Sequence, residues 1–205
     1  IGSEDGLRSI FGHAKGLAVQ KSRGSLDKYS RQFMAMSPFL VISTANAQGK
    51  ADVSPRGDPP GFVHAVDDRT ILIPDRPGNN RLDTMVNIVE NPNVACLFFI
   101  PGFEDTLRVA GKARITDDAT LLKHCVVNGK QPKAGILVSI DEVFLHCAKA
   151  LKRSKLWQDD YRQDRAQMPS IARIILDQVS DSGVDEKAAA EADTSVEESY
   201  RKELY

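Results

Sequence analysis

The chain has 205 residues, 41% of them hydrophobic and 27% charged, and 27 Lys and Arg stand against 28 Asp and Glu for a net charge of −1. That is apolar material for one globular domain with peripheral helices, and the charge balance argues against a nucleic-acid or membrane-surface partner. No apolar run approaches the roughly 18 residues of a membrane span, the N-terminus lacks a signal-like apolar core, and three scattered cysteines (Cys96, Cys125, Cys147) read as buried thiols of a reducing compartment, so a cytoplasmic location is expected.

Residues 1–24 hold a short amphipathic piece around Leu7, Ile10, Phe11 and Ala14, then a Gly/Lys/Ser/Arg segment with the composition of a linker. Ser25 is placed to cap a helix in which Leu26, Tyr29, Phe33 and Met36 share a face, and Ser37-Pro38 stops it. The period then changes. Residues 39–44 form a buried strand, Asn46-Ala47-Gln48-Gly49 a turn, and a second strand begins at Lys50. Pro55-Arg56-Gly57-Asp58-Pro59-Pro60-Gly61 interrupts that strand, residues 62–66 resume it, and 70–73 follow as the next. A helix is expected from about Arg81 to Glu90 with Leu82, Met85, Val86 and Val89 on one face, ended by Asn91-Pro92.

Residues 94–100 are apolar enough to be a strand buried on both sides. In the long strand 106–115 Gly111 marks a bulge or a close approach, and Thr116-Asp117-Asp118 caps a helix containing Leu121, Leu122 and Cys125. The last strand, 136–146, is expected to kink near Ile140-Asp141-Glu142. Helices follow over 148–157 and 170–178, then a charged helical segment over 185–205. The pattern is mainly β with peripheral helices: six or seven antiparallel strands whose economical arrangement is a barrel, since closure removes exposed edges. The expected division is an N-terminal helix and linker at 1–24, the barrel at 25–157 and a helical extension at 158–205.

One stretch stands out. Ile71-Leu72-Ile73-Pro74-Asp75-Arg76-Pro77-Gly78-Asn79-Asn80-Arg81 carries an apolar strand through a Pro/Gly/Asn turn to a basic residue where a helix begins. Free N–H groups at a helix start, its dipole and an arginine fork can converge on one phosphate.

Together with Ser54-Pro55-Arg56-Gly57-Asp58-Pro59-Pro60-Gly61-Phe62, Pro101-Gly102 and Thr106-Leu107-Arg108-Val109-Ala110-Gly111-Lys112-Ala113, this stretch resembles the pyridoxamine 5′-phosphate oxidase-related proteins, nearest to a bacterial branch described as FMN-dependent. The resemblance covers roughly residues 30–157. It implies an FMN-binding split β-barrel that forms a homodimer with the cofactor at the subunit interface. It also implies that Ile73, Pro74, Asn80 and Arg81 hold the FMN phosphate and ribityl chain, that Arg56, Gly57 and Asp58 run along the isoalloxazine edge, and that Thr106 and Arg108 face the cofactor. Better-known oxidases carry a second basic residue directly after the helix-start arginine, where this chain has Leu82. Arg76 and Arg108 are the candidates for the missing charge. The 146–157 segment resembles the FMN-dependent branch and lacks the substrate-binding end of true pyridoxamine phosphate oxidases, which argues against a vitamin B6 substrate.

Each assignment has a plainer competitor. Arg56 and Asp58 could form a salt-bridged loop, and Arg108, in an apolar strand, must be paired or face a cavity. Lys149, Arg153 and Trp157 recur at i, i+4, i+8, so they can form either an exposed basic helix face or a wall over flavin or an anionic substrate. His124-Cys125 and His146-Cys147 lack metal-ligand spacing, so no metal is expected. The motifs of NTPases, Rossmann folds and α/β-hydrolases are absent. The resulting reading is an FMN-dependent oxidoreductase working by hydride transfer at flavin N5 on a small molecule. A non-catalytic flavin binder or a barrel carrying haem or deazaflavin are the alternatives.

Overall fold

A computed structural model describes residues 1–180 and 184–205, so 181–183 of the expected helical extension lie outside the described residues. The chain begins with α1 (Glu4–Phe11) and the single turn α2 (Leu17–Gln20), neither with a buried residue. Residues 21–24 are not a loose linker: Arg23 bridges to Val143 through two backbone hydrogen bonds, and Ser22 donates to Glu142 at 2.6 Å. Helix α3 (Lys28–Met36) is capped by Asp27 and not by Ser25. The Asp27 carboxylate accepts from the Tyr29 and Ser30 amides while the Ser30 hydroxyl accepts from the Asp27 N–H, a reciprocal capping box. It buries Ser30, Phe33 and Met34 and leaves Tyr29 and Met36 exposed, so its inward face is rotated from the expected one.

Strands β1 (Phe39–Ala45), β2 (Ala51–Gly57), β3 (His64–Ala65) and β4 (Thr70–Pro74) follow, then α4 (Asp83–Glu90), β5 (Asn93–Phe99) and β6 (Thr106–Thr116). Helix α5 (Ala119–Leu122) runs into a 3-10 turn at Lys123–Cys125, its Asp118 cap accepting from the Thr120 amide as the sequence predicts. Strand β7 (Gly135–His146), α6 (Lys149–Ser154), α7 (Ile171–Val179) and α8 (Glu186–Glu203) complete the chain. Among the described residues, no helix is long and apolar enough to cross a membrane.

All seven strands form one antiparallel sheet in the order β2-β1-β5-β6-β7-β4-β3. This is the mainly β, antiparallel architecture with peripheral helices that the pattern implies. One expectation fails. Residues 62–66 do not resume β2, because β3 pairs with β4 and sits at the opposite edge of the sheet. The segment between them, carrying Pro59, Pro60 and Gly61, crosses from one edge to the other, and Gly61 at φ 83° hydrogen-bonds the Ser37 carbonyl on the way.

The sheet coils around one core to which β1 contributes Leu40 and Ile42, β4 Ile71 and Ile73, β5 Cys96 and Phe98, β6 Leu107 and Val109, and β7 Ile136 and Val138. Strand β5 alternates, with Val94, Cys96 and Phe98 buried and Ala95, Leu97 and Phe99 only partly covered, so it is not buried on both sides. Curvature is concentrated where the β6–β7 register slips at Ala110/Gly111, Asp141 being the unpaired residue between Ile140 and Glu142. A side chain at Gly111 would place its Cβ 2.0 Å from the Ser139 carbonyl oxygen. Both bulge signals read from the sequence mark this point.

Candidate functional site

The coiled sheet does not close by strand pairing. Strand β2, at one end of the sheet, is joined to the segment after β4 by side chains. Arg56 Nη1 donates to Asp75 Oδ1 at 2.9 Å, and Arg76 Nε donates to Asp58 Oδ2. Each side of the split thus supplies one cation and one carboxylate to the other. The Asp58 side chain is 1% exposed, so this second pair is a buried one, and Arg76 Nη2 also donates to the Cys125 carbonyl at 2.8 Å. The plainer reading of Arg56 and Asp58, a salt-bridged loop, therefore describes part of what they do.

Above these bridges lies a cavity of about 530 Å³, lined by Ser54, Arg56 and Gly57 of β2 and by the segment from Pro74 to Met85. Asp52, Ser54 and Arg56 reach it because they register with Thr44, Ile42 and Leu40, residues whose side chains point to the inside of the coil. The cavity volume suits a drug-sized or cofactor-sized ligand. One polar atom of its wall has no partner: Arg56 Nε is buried and makes no hydrogen bond.

The stretch expected to cup an anion lines the other side of this cavity. Helix α4 starts at Asp83, two residues later than expected, with Leu82 at the cap position and no side chain satisfying the first-turn amides. Those amides and the positive end of the helix dipole are the donors an anion needs. Asn80 (φ 57°) and Leu82 (φ 59°) both take the left-handed conformation. Asparagine tolerates it, but for leucine it costs on the order of 1–2 kcal/mol, a strain of the kind that collects at ligand sites. Between them Arg81 is held by Asp83, Nε donating to Oδ2 at 2.8 Å, and its amide donates to Asn79 Oδ1. The hydrogen bond and charge of Asp83 raise the Arg81 pKa further, so it is a permanent cation. Its side chain is 73% exposed and free to turn to another anion.

The remaining expected residues divide. Gly57, Pro74, Asn80, Arg56 and Arg81 line the cavity, Asp58 lies behind its wall, and the Ile73 side chain is 0% exposed in the core, leaving only its backbone near the cup. Neither candidate for the second phosphate cation fits that role. Arg76 lines the cavity but is spent on Asp58 and the Cys125 carbonyl, while Arg108 lies on the outer face of the sheet with its guanidinium over Phe144. There Thr106, Arg108, Val41, Leu97 and Leu151 line a second cavity of about 310 Å³.

The wall expected from Lys149, Arg153 and Trp157 does not form as one helical face. Lys155 adopts φ 50° and ends α6 at Ser154, so Trp157 lies beyond it and donates from Nε1 to the Phe103 carbonyl at 2.7 Å. Lys149 and Arg153 are exposed and line neither cavity. Cys147 is exposed, contrary to the expectation of three buried thiols. The sequence reading also missed two features. The His64 and His124 rings stack at 4.5 Å with an interplanar angle of 1°, which elements far apart in sequence bring together. Tyr205 reaches Asp58 from the end of the chain, its hydroxyl donating to Oδ1 at 2.6 Å.

The family model for pyridoxamine 5′-phosphate oxidase matches residues 26–147, a span that contains all seven strands and the cup. The chain belongs to the pyridoxamine 5′-phosphate oxidase family. No curated protein is significantly similar to it. Among solved structures it is similar to HupZ of Group A Streptococcus, with 16% identity over 58% of this chain and 93% of that one at a TM-score of 0.48. It is also similar to a candidate pyridoxamine 5′-phosphate oxidase of Lactobacillus delbrueckii (19% identity, 60% and 95% covered, TM-score 0.48) and to an FMN-binding protein of Syntrophomonas wolfei (10%, 70% and 96%, TM-score 0.44). The family match ends at Cys147, so α6 to α8 lie outside it.

Proposed function

We propose that this member of the pyridoxamine 5′-phosphate oxidase family binds FMN in the cavity between β2 and the 74–85 segment and acts as an FMN-dependent oxidoreductase on a small molecule. The observation that carries the reading is the convergence, in one cavity, of an uncapped helix start, the exposed cation Arg81 and the orphaned Arg56 Nε. The first two suit a phosphate and the third a polar ring edge. Arg81 exchanges Asp83 for the phosphate, and the α4 amides supply the donors that a second cation supplies in better-known oxidases. Bound there, FMN supplies hydride transfer at its N5.

Arg56, held by Asp75, would offer its charge to a reduced ring. A second copy of the chain completes the site, because within one chain Lys149, Arg153 and Trp157 stand away from the cavity. The exposed apolar residues Val53, Val86 and Val89 support such a contact.

The visible spectrum of the purified protein after incubation with FMN tests the proposal, followed by anaerobic reduction with NADH or NADPH and reoxidation by a substrate panel. A flavin spectrum that bleaches and recovers is expected. Arg81→Ala should weaken FMN about ten- to a hundredfold while the fold is kept, the worth of one charged hydrogen bond. A colourless protein that takes up no FMN would refute the reading, and a Soret band in its place would redirect it to haem.

A further inference from the structure

Tyr205 stands two residues past α8 and is held by two contacts at the cavity wall and a third to Lys130. Its hydroxyl donates to Asp58 Oδ1 at 2.6 Å, its ring lies 5.6 Å from the Arg76 guanidinium carbon, and its carbonyl accepts from Lys130 Nζ at 2.6 Å. Asp58 offers its other oxygen to Arg76, and Arg76 is a cavity-lining residue. Among the described residues Tyr205 is the one partner of Asp58 Oδ1. Asp58 is thus shared between two elements, one oxygen held by Tyr205 and the other by Arg76, whose Nη2 also donates to the Cys125 carbonyl at 2.8 Å. One cavity-lining side chain, Arg76, is thus linked through Asp58 to a residue that follows a helix pair, α7 and α8, packed on each other.

We propose that Tyr205 is a positioning residue for the cavity, through which docking of the α7–α8 pair and occupancy of the cavity by FMN strengthen each other. The proposal rests on the flavin reading above. The hydrogen bond to Asp58 raises the phenol pKa, which keeps the donor protonated across the neutral range. Linkage is reciprocal: if the docked tyrosine improves FMN affinity by some factor, FMN improves docking by the same factor.

Two measurements on the full chain decide it. FMN affinity is titrated for the wild type, Tyr205→Phe, Asp58→Asn and the double variant, and amide hydrogen exchange over residues 184–205 is followed with and without FMN. Tyr205→Phe keeps the ring over Arg76 and is expected to weaken FMN about tenfold, with no further loss when added to Asp58→Asn. FMN is expected to slow exchange in α8 of the wild type and to lose that effect in Tyr205→Phe. Wild-type exchange in α8 indifferent to bound FMN, or equal affinity in Tyr205→Phe, overturns the coupling and leaves the flavin reading standing. A wild type that takes up no FMN overturns both.

Discussion

Gly111→Ala isolates the geometry on which the coiled sheet depends. The added Cβ would stand 2.0 Å from the Ser139 carbonyl oxygen, 3.0 Å from its carbonyl carbon and 3.2 Å from the Asp141 nitrogen, all backbone atoms of β7. No rotamer change relieves a clash with backbone, so β7 must withdraw from β6 at the bulge. Two ladder hydrogen bonds at about 1 kcal/mol each and overpacking strain of about 1–3 kcal/mol sum to roughly 3–5 kcal/mol. For a chain of this length each kcal/mol moves the midpoint by about 2–4 °C, so thermal unfolding followed by circular dichroism should show a fall of about 6–20 °C. Gly129→Ala is the control. It sits at φ 74° with nothing within 4 Å of its Cβ, so it carries only the left-handed backbone cost of about 1–2 kcal/mol. A Gly111→Ala protein that melts within about 3 °C of wild type, or no lower than Gly129→Ala, would refute the claim that this contact is rigid.

Two further outcomes follow from titrating groups. Burial pushes the Cys96 thiol up to about 12, so at pH 8 only about one molecule in ten thousand carries the thiolate, and burial raises Cys125 as well. A thiol reagent should therefore titrate one fast group in the native protein, lost in Cys147→Ser, and three in denaturant; a second fast thiol in the native state refutes the burial. Partial burial, and then the charge of the stacked His124, hold the His64 pKa below its ordinary 6.5. Below about pH 6.5 the unfolded chain then takes a proton that folded His64 declines, so stability drops as pH falls from there to the folded pKa and levels off beneath it. His124→Gln should flatten that slope and His64→Gln flatten it further, and identical midpoint-versus-pH curves for all three proteins would sink the assignment.

What was legible in the sequence is what local physics controls. Alternation placed the strands, Gly111 and Ile140-Asp141-Glu142 announced the bulge, and Ser37-Pro38 and Asn91-Pro92 stopped their helices where expected. The turn after β4 and the helix start behind it were visible because Pro, Gly and Asn mark turns and helix boundaries locally. Pairing partners were not legible. Periodicity showed that residues 62–66 favour an extended chain but not that they belong to β4, on the far side of the sheet from β2. Single backbone states also escaped it. Lys155 in the left-handed region ends α6 and takes Trp157 off the face that i, i+4, i+8 spacing assigned to it, and no side-chain propensity of lysine foretells that conformation. The fate of Arg76 depended on Asp58, Cys125 and Tyr205, which only the folded chain brings together.

The error at α4 is the most informative. Leu82, Met85, Val86 and Val89 were expected on one apolar face, yet Leu82, Val86 and Val89 are 52%, 50% and 78% exposed. The helix instead turns Ile88 into the core together with Thr84 and Asn87, where Asn87 donates to Thr44 at 3.0 Å and Thr84 lies against Asp52. Its two inward polar residues find partners in Thr44 of β1 and Asp52 of β2, since buried amide and hydroxyl groups need them. That pairing does not explain an apolar outer face. Valine at solvent-exposed helix positions gives up helix propensity and forfeits about 1.5–3 kcal/mol of burial per side chain. That stripe opens beside the cup, since Leu82 lines the same cavity as Arg81. Under the homodimer proposed above, these residues, which break the rule within one chain, are the ones a second copy would cover, at the rim of the proposed FMN site.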